Sequence, residues 1–254
     1  MKRLLLFFAI ICLASCSHQE GWTLVWTEDF DGPAINENVW SRVELGKSDW
    51  NNMMSLRPDL AYIEDGQLVL MGKVNDGTST DTTAFVTGGL RSKGKKSFKM
   101  AKFEIRAKFN SVEGFWPALW LMPDCELPQG EYAEIDIMEH LNSDSFAYQT
   151  VHSRYSLDVS RTDPKNHGTG PIDKSGWNIY SAEVYQDSIC VYTNGNKTMT
   201  YPRIEGKDHQ FPWPDYPFYL ILSNQLGGNW VGEVNPAQLP SELRVDWIKV
   251  YQWK

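Results

Sequence analysis

Short segments in which apolar and polar residues alternate, each bounded by turn-forming residues, run through the chain from residue 21 onward. Alternation with a period of two is typical of β-strands that are buried on one face. Asp65-Gly66 and Asn194-Gly195 lie between such segments and predict tight hairpin turns. Helical periodicity is almost absent, so we predict an all-β domain, either a sandwich or a barrel. The predicted strands are at residues 22–26, 61–63, 67–72, 99–109, 116–122, 135–139, 178–186, 189–193, 219–222 and 244–252.

The N-terminal residues have the pattern of a bacterial lipoprotein signal peptide. Lys2 and Arg3 precede an apolar run at 4–13, which is too short to span a membrane. The run ends in Leu-Ala-Ser-Cys, which resembles the lipobox that makes Cys16 the lipidated first residue of the mature protein. We therefore expect a signal peptide at 1–15 and an outer-membrane lipoprotein, facing the periplasm or the cell exterior and contacting the membrane only through its lipid. Ordinary secretory cleavage beside a chance cysteine is the alternative.

Residues 16–254 are predicted to form a single domain, because no repeat, low-complexity tract or long linker divides them. The chain has 24 basic and 32 acidic residues and a net charge of -8 at pH 7. This balance argues against nucleic acid and against polyanionic partners, and it favours neutral ligands. Cys125 and Cys190 could pair in an oxidising compartment, but the apolar alternating surroundings of Cys190 favour a buried free thiol.

The segment Glu134-Ile-Asp-Ile-Met-Glu139 places three carboxylates among apolar residues. It is short and β-branched, so we predict a strand. On a regular strand Glu134 and Asp136 share one face, whereas Glu139 points to the other. A β-bulge at Ile137 and Met138 would return Glu139 to the shared face, and bulges are frequent beside active sites. The three carboxylates then form one row.

Such a row suits hydrolysis of a glycosidic bond with retained stereochemistry, which needs a nucleophilic carboxylate and a protonated carboxylic acid about 5–5.5 Å apart. Two long Glu side chains that lean toward each other could reach that separation. Asp136 is expected to hydrogen-bond Glu134 and, through its negative charge, to help keep Glu139 protonated. For this spacing alone, the alternative is a half-exposed strand whose acids face water.

Gly-Phe-Trp-Pro-Ala-Leu-Trp-Leu-Met at 114–122, followed by Glu-Ile-Asp-Ile-Met-Glu-His at 134–140, resembles the signature of glycoside hydrolase family 16 in its bulged, laminarinase-like form. The resemblance implies a β-jelly roll of two curved antiparallel sheets with a concave substrate cleft. It further implies a retaining endo-β-glycosidase that is a monomer and requires no cofactor. By that resemblance Glu134 is the nucleophile, Asp136 assists it and Glu139 is the acid/base.

Several residues are predicted to bind sugar. Alternation along 115–122 places Phe115 and Leu119 between the sheets and leaves Trp116 and Trp120 on the cleft side, where indole rings can stack on pyranose rings. The resemblance adds further positions by motif match: Asn52 in Trp50-Asn-Asn-Met-Met54, Arg91 in Gly88-Gly-Leu-Arg, His152 after Tyr148-Gln-Thr-Val, and Trp230 in Gly227-Gly-Asn-Trp. His140 is expected to point away from the face of Glu139.

The chain departs from the laminarinase pattern at Met54, where those enzymes carry Glu, and at Ser153-Arg-Tyr155. A methionine there offers a soft apolar surface that could favour an acetamido group or an axial hydroxyl. The substrate is therefore either a β-1,3- or mixed-linked glucan or a galactose-containing glycan of the poly-N-acetyllactosamine or mucin type. We expect the long segments 46–58 and 153–177 to wall the cleft. Asp246 matches a position that often binds structural Ca²⁺ in the family.

Two hypotheses from different classes follow from these residues. The first is a retaining endo-β-glycosidase that cuts internal linkages of a neutral polysaccharide or glycan. The second is a surface protein with the same fold that binds glycans but has no catalytic activity. Three crowded carboxylates raise the electrostatic free energy of the fold and offer little to a pure binder, so the intact row favours the enzyme.

Overall fold

A computed structural model describes residues 21–212 and 216–254. The described strands are β1 (Trp22–Glu28), β2 (Ser41–Arg42), β3 (Ala61–Glu64), β4 (Gln67–Val74), β5 (Phe85–Thr87), β6 (Gly89–Arg91), β7 (Ser97–Phe98), β8 (Ala101–Phe109), β9 (Phe115–Pro123), β10 (Ala133–Glu139), β11 (Phe146–Ser153), β12 (His167–Pro171), β13 (Asn178–Val184), β14 (Ser188–Thr193), β15 (Asn196–Pro202), β16 (Phe218–Leu226) and β17 (Ser241–Trp253). A short helix, α1, spans Arg154–Asp158, and single 3-10 turns span Asp49–Asn51, Pro58–Leu60 and Pro236–Gln238.

The strands form two antiparallel sheets. The first sheet has nine strands in the order β15-β14-β13-β8-β17-β4-β3, with β1 paired to β17 and β5 paired to β4. The second has eight strands in the order β12-β11-β10-β9-β16-β6-β2, with β7 paired to β16. Neighbours such as β8 and β17, or β9 and β16, are far apart in sequence. The prediction of an all-β sandwich is confirmed, and the two sheets do not close into a barrel.

All the strands predicted from alternation are present, with ends displaced by at most four residues. The prediction missed two kinds of strand. The strands β2, β5, β6 and β7 are only two or three residues long, which is too short for a period to be visible. The strands β11, β12 and β15 are polar or glycine-rich, so they lack the apolar half of the pattern.

The hydrophobic core lies between the two sheets and is built from alternate residues of the strands. Phe103 and Ile105 on β8 face it from the nine-stranded sheet. Phe115, Leu119 and Leu121 on β9 face it from the eight-stranded sheet, as predicted. Because alternate residues of β9 are committed to this core, the remaining ones are presented on the outer face of the eight-stranded sheet.

The two predicted hairpin turns have the backbone that their sequences favour. Asp65 and Gly66 have φ values of 51° and 69° between β3 and β4, and Asn194 and Gly195 have φ values of 50° and 77° between β14 and β15. Two consecutive residues with positive φ form a type I′ turn, whose twist matches that of the flanking strands. These turns fix the register of both hairpins.

The predicted signal peptide and Cys16 lie outside the described residues. Within the described ranges, no helix is long and apolar enough to cross a membrane. Cys125 is exposed and Cys190 is buried, and both are free thiols. The alternative in which Cys190 is a buried thiol is therefore the observed one, and its Sγ lies 3.6 Å from Oγ1 of Thr200.

Candidate active site

Strand β10 carries the three carboxylates and lies between β9 and β11 in the eight-stranded sheet. Its pairing with both neighbours changes register between Asp136 and Glu139. Ile137 and Met138 both pack in the core, so this is the bulge predicted from the spacing. Two consecutive residues face inward, and Glu139 is thereby returned to the face of Glu134 and Asp136.

We call this outer surface of the eight-stranded sheet the cleft face. Across it, Glu139 lies opposite Ala118, Asp136 lies opposite Trp120, and Glu134 lies opposite His152. The carboxylates line a cavity of about 270 Å³. Its other lining residues are Ser48, Trp50, Trp116, Ala118, Trp120, Tyr132, Ser223 and Gln225.

Glu139 is buried, and its Oε1 accepts a hydrogen bond from Nε1 of Trp116 at 3.0 Å. Burial raises the pKa of Glu139 well above its ordinary value, and the negative charge of Asp136 raises it further. The hydrogen bond from Trp116 acts in the opposite direction. The net shift keeps Glu139 protonated at a pH where an exposed glutamate is ionised, as a general acid requires.

Glu134 is held by a neighbour that the sequence did not point out. The hydroxyl of Tyr132 donates to Oε2 of Glu134 at 2.5 Å, whereas Nε2 of His152 lies 3.8 Å from Oε1. We had expected Asp136 to be the partner of Glu134. The hydroxyl of Tyr132 always carries a hydrogen to donate, whereas a carboxylate donates only when it is protonated, so the hydroxyl is the better partner.

Asp136 is only 3% exposed, and its Oδ2 lies 3.3 Å from Nε2 of His152. Burial and the charge of Glu134 raise the pKa of Asp136. His152 thus sits beside Glu134 and Asp136, at the end of the row away from Glu139. Side-chain atoms of Glu134, Asp136 and His152 lie within 4.8 Å of one another, which is close enough to hold a cation. A cation bound there would occupy the carboxylates that glycoside hydrolysis requires.

Both tryptophans assigned to the cleft by alternation line the cavity beside the carboxylates. Nε1 of Trp120 donates to Oγ of Ser223 at 3.2 Å, which fixes the ring on the sheet. The ring of Trp50 packs edge-on against it at a centroid distance of 4.8 Å. Trp50 comes from the segment 46–58, so this segment does wall the cavity as expected.

Trp230 lies at the Glu139 end of the row and is 46% exposed. Its ring packs edge-on against Trp116 and against Tyr148, at centroid distances of 5.4 Å and 5.2 Å. Its loop is tied to the segment 46–58, because Oδ2 of Asp49 accepts hydrogen bonds from the backbone N–H and the side-chain amide of Asn229. Trp230 therefore extends the aromatic wall beyond the carboxylates.

Arg91 and Asn52 lie farther along the cleft face. Arg91 on β6 is opposite Ile221, which packs on the cleft side of the sheet with Trp120. The amide of Gln225, which lines the cavity, donates to Oδ1 of Asn52 at 2.7 Å. Neither residue is among those that line the carboxylate cavity: Arg91 shares the face of Ile221, and Asn52 contacts the cavity residue Gln225.

Met54 corrects one expectation. We expected its thioether to be offered to the sugar, but Met54 is only 1% exposed and packs with Val43, Ala118 and Ile221 beneath the cleft. Its sulfur lies 3.5 Å from Oγ1 of Thr87. Because the side chain of Met54 is buried, it presents no surface to a ligand. Met54 therefore gives no information about the substrate.

The segment 153–177 also differs from its prediction. It contains the helix α1 and the edge strand β12, which extends the eight-stranded sheet beyond β11. Among the described residues, none of those lining the carboxylate cavity comes from this segment. In strand β12, Gly168 and Gly170 pack closely against residues of β14 and β15. A Cβ atom at either position would lie 3.0 Å or less from the nearest atom, so glycine takes the place of the apolar residues of a typical strand.

His140 and Asp246 lie outside the cavity. His140 is fully buried behind the sheet, where Phe109 packs on its ring and its Nε2 lies 2.8 Å from the carbonyl oxygen of Asp144, so it points away from Glu139 as predicted. Asp246, the expected calcium ligand, forms an ion pair with Arg106 on the nine-stranded sheet. A cation at Asp246 would have to displace this guanidinium.

The sequence model of the family "Glycosyl hydrolases family 16" matches residues 59–249, which include the whole carboxylate row. The chain belongs to this family. Family 16 glycosidases need no cofactor for catalysis.

Two comparisons with sequences and structures point to different glycans. Keratan-sulfate endo-1,4-beta-galactosidase of Sphingobacterium multivorum is 33% identical over 236 residues, which cover 91% of this chain and 55% of that protein. The chain thus spans about half the length of this relative. The laminarinase of Rhodothermus marinus has a TM-score of 0.80 at 26% identity, covering 93% of this chain and 99% of that one.

A further structure comes from endo-acting O-glycanases with which prominent members of the human gut microbiota initiate mucin breakdown. It has a TM-score of 0.78 at 26% identity, and the match covers 91% of this chain and 100% of that one. These structures confirm the jelly-roll fold that the sequence motif implied. The same fold therefore occurs in a laminarinase and in an O-glycanase.

Proposed function

We propose that this protein is a retaining endo-β-glycosidase that uses Glu134 as nucleophile and Glu139 as acid/base. The observation that carries the proposal is the bulged strand β10, which sets both glutamates and Asp136 on one face of a cavity beside Trp116 and Trp120. Burial raises the pKa of Glu139 and favours its protonated form, whereas Glu134 accepts a hydrogen bond from Tyr132. Two carboxylates in such different surroundings suit the two different roles.

The reaction proceeds in two displacements. Glu134 attacks the anomeric carbon while Glu139 gives its proton to the leaving glycosidic oxygen, which departs with the bonding electron pair. The ionised Glu139 then takes a proton from water, the water oxygen bonds to the anomeric carbon, and Glu134 leaves as a carboxylate. The negative charge of Asp136 favours the protonated form of Glu139 at the start of each cycle.

For the substrate, we propose a neutral galactose-containing glycan of the poly-N-acetyllactosamine or mucin type. Support comes from the 33% identity to a keratan-sulfate endo-β-galactosidase over 91% of the chain. The structural likeness to an O-glycanase acting in mucin breakdown supports the same class. The open row of aromatic rings from Trp120 through Trp116 to Trp230 suits several consecutive sugars and therefore an endo mode of cleavage.

A β-1,3- or mixed-linked glucan is the second candidate, because the likeness to a laminarinase reaches a TM-score of 0.80. Incubation with laminarin, lichenan, keratan and porcine mucin side by side separates the two. We expect oligosaccharides from keratan or mucin. Oligosaccharides from the glucans alone would overturn the galactoside proposal, and monosaccharide as the sole early product would overturn endo cleavage.

The catalytic assignment is tested by Glu134→Gln and Glu139→Gln. Each should lower kcat on the polymeric substrate by at least about 1000-fold, because each removes one partner of the double displacement. Glu183→Gln is a matched control, since Glu183 is a buried glutamate on the nine-stranded sheet, far from the cleft face. Release of reducing ends measures the effect. Wild-type turnover by both variants would overturn the catalytic assignment, and no release from any glycan by the wild-type protein would favour the inactive glycan-binding protein.

For its location, we propose an outer-membrane lipoprotein, active as a monomer and anchored through Cys16. The support is the sequence Leu-Ala-Ser-Cys after a short apolar run. Cys16→Ser should move the protein out of the membrane fraction. Unchanged membrane association of this variant would argue against the lipid anchor.

We propose no catalytic role for calcium. The family resemblance implies a structural Ca²⁺ at Asp246, but the ion pair of Asp246 with Arg106 argues against it. A chelator is expected to leave both the activity and the melting temperature unchanged. A rise in melting temperature on adding Ca²⁺, lost in an Asp246→Asn variant, would instead support a site there.

A further inference from the structure

Tyr132 occupies a position that no catalytic motif in the sequence assigns. It precedes β10 by one residue and Glu134 by two, so it shares the cleft face and lines the cavity. Its hydroxyl donates to Oε2 of Glu134 at 2.5 Å. Burial and the charge of Glu134 raise the pKa of Tyr132, so the phenol keeps its proton and remains a donor across the pH range of glycoside hydrolysis.

The backbone before Tyr132 is held in place from outside the cavity. Oε1 of Glu131 lies 2.7 Å from Nδ1 of His209, and the carbonyl oxygen of His209 accepts a hydrogen bond from the backbone N–H of Tyr155. Nε of Arg154 donates to the carbonyl oxygen of Gly130. The residues next to Tyr132 are thus tied to helix α1 and to the loop after β15, and the tyrosine presents its hydroxyl from a fixed support.

The two oxygens of Glu134 are consequently different. Oε2 accepts the phenolic hydrogen bond, whereas Oε1 has His152 at 3.8 Å, which is beyond hydrogen-bonding distance. We propose that Tyr132 is a positioning residue that occupies Oε2 of the nucleophile and leaves Oε1 as the oxygen that attacks the anomeric carbon. This inference rests on the proposed role of Glu134.

The same hydrogen bond serves both displacements. In the first, Oε1 of Glu134 bonds to the anomeric carbon, the bond to the leaving oxygen breaks, and Glu139 supplies the proton. Oε2 becomes the carbonyl oxygen of the glycosyl ester and continues to accept from Tyr132. In the second, water replaces Oε1 on the anomeric carbon, Glu139 takes the water proton, and negative charge returns to the carboxylate. The phenolic hydrogen bond strengthens as this charge develops.

The test is Tyr132→Phe, which removes the hydroxyl and keeps the ring. We expect kcat to fall by about 10- to 100-fold with little change in KM, because one charge-assisted hydrogen bond is lost from the reacting group. The acidic limb of the pH–rate profile should also move to higher pH, since ionised Glu134 has lost a donor. If the ring only shaped the cavity, Tyr132→Phe would leave kcat, KM and the acidic limb unchanged.

Tyr185→Phe is the matched control. Its hydroxyl donates to Oε2 of Glu183 at 2.9 Å, again a tyrosine and a glutamate two residues apart, but on the nine-stranded sheet. This variant should keep the wild-type kcat and pH profile. Wild-type kcat and an unmoved acidic limb in Tyr132→Phe would overturn the inference while leaving the role of Glu134 intact.

Two further measurements keep the test decisive if Tyr132→Phe folds poorly or the substrate is misassigned. Replacement of Tyr132 by 3-fluorotyrosine keeps the size of the ring and strengthens the donor, so the acidic limb should stay in place or move to lower pH. Carboxyl NMR titration, with Glu134 assigned through Glu134→Gln, requires no turnover. Its midpoint should rise in Tyr132→Phe, and an unchanged midpoint would refute the hydrogen bond.

Discussion

Glu139 is an ionisable side chain in a buried position, and we expect it to lower the stability of the fold at neutral pH. Because its folded-state pKa is raised, this residue contributes most to stability below about pH 4, the range of an unfolded glutamate, and that contribution is lost as the pH rises toward the folded-state value. Glu139→Gln removes the ionisable proton but keeps an acceptor for Trp116. We therefore expect it to stabilise the fold at pH 7 by about 1–3 kcal/mol.

Thermal unfolding of the inactive variant checks this prediction. A gain of that size corresponds to several degrees, at roughly 2–4 °C per kcal/mol for a chain of this length. The advantage of Glu139→Gln should shrink when both proteins are melted at pH 4. A variant that melts below the wild type at pH 7 would contradict the pKa argument.

Asp136 should set the pH range of catalysis through its charge. That charge is the second cause, after burial, that raises the pKa of Glu139. Asp136→Asn should lower the pKa of Glu139, so that the acid loses its proton earlier and the basic limb of kcat/KM moves to lower pH. The profile is measured on the same polymer for both proteins, and a basic limb that stays in place would show that burial alone sustains the protonated acid.

The sequence predicted residues of the site well where strand alternation decides the direction of a side chain. Trp116 and Trp120 were assigned to the cleft from alternation alone, and both line the cavity. Tyr132 was missed because it precedes the strand, although its position two residues before Glu134 was a usable signal. Met54 was misjudged because the sequence does not reveal how a loop folds over its own side chains.

At the scale of the element, the bulge in β10 is maintained by burial of two consecutive side chains, Ile137 and Met138. Deleting Met138 would restore regular alternation and still leave all three carboxylates on one face. Glu139 already lies two positions from Asp136 in the register of both partner strands, so the deletion would mainly remove the bend that the bulge gives the strand, together with a core side chain. We expect a folded protein that is destabilised by about 2–5 kcal/mol.

The activity of the deletion variant should fall by about 100-fold or more, because misplacement of a catalytic group by 1 Å can already cost that factor. Met138→Leu is the control, since it keeps the volume and the bulge and should cost under about 1.5 kcal/mol. Activity and melting temperature are measured together. Full activity in the deletion variant would mean that the bulge is not needed for the spacing of the carboxylates.

The elements that escaped prediction share a physical reason. The strand β12 is an edge strand whose glycines allow close packing on β14 and β15, so its sequence lacks the apolar face that reveals a strand. Strand β6 carries Arg91 but has only three residues, and its pairing with β16 comes from residues far away in the chain. Such strands are set by tertiary contacts, which a local pattern does not contain.

At the scale of the whole molecule, the two sheets have different roles. The nine-stranded sheet supplies the second wall of the core and ion pairs such as that of Arg106 with Asp246. The eight-stranded sheet supplies the cleft face. The class of fold followed from the sequence because every strand must bury one side, whereas the order of strands did not, since most pairs join distant segments.

The first and last described residues lie side by side, because Gly21 and Lys254 exchange two backbone hydrogen bonds at the end of the β1–β17 pair. Both strands belong to the sheet on the far side of the core from the carboxylates. A tether at either end would therefore leave the opening of the cleft unobstructed. The same adjacency suits circular permutation of the described residues. A short linker would join Lys254 to Gly21, and new ends would be opened in a turn such as Asp65-Gly66, away from the catalytic strand.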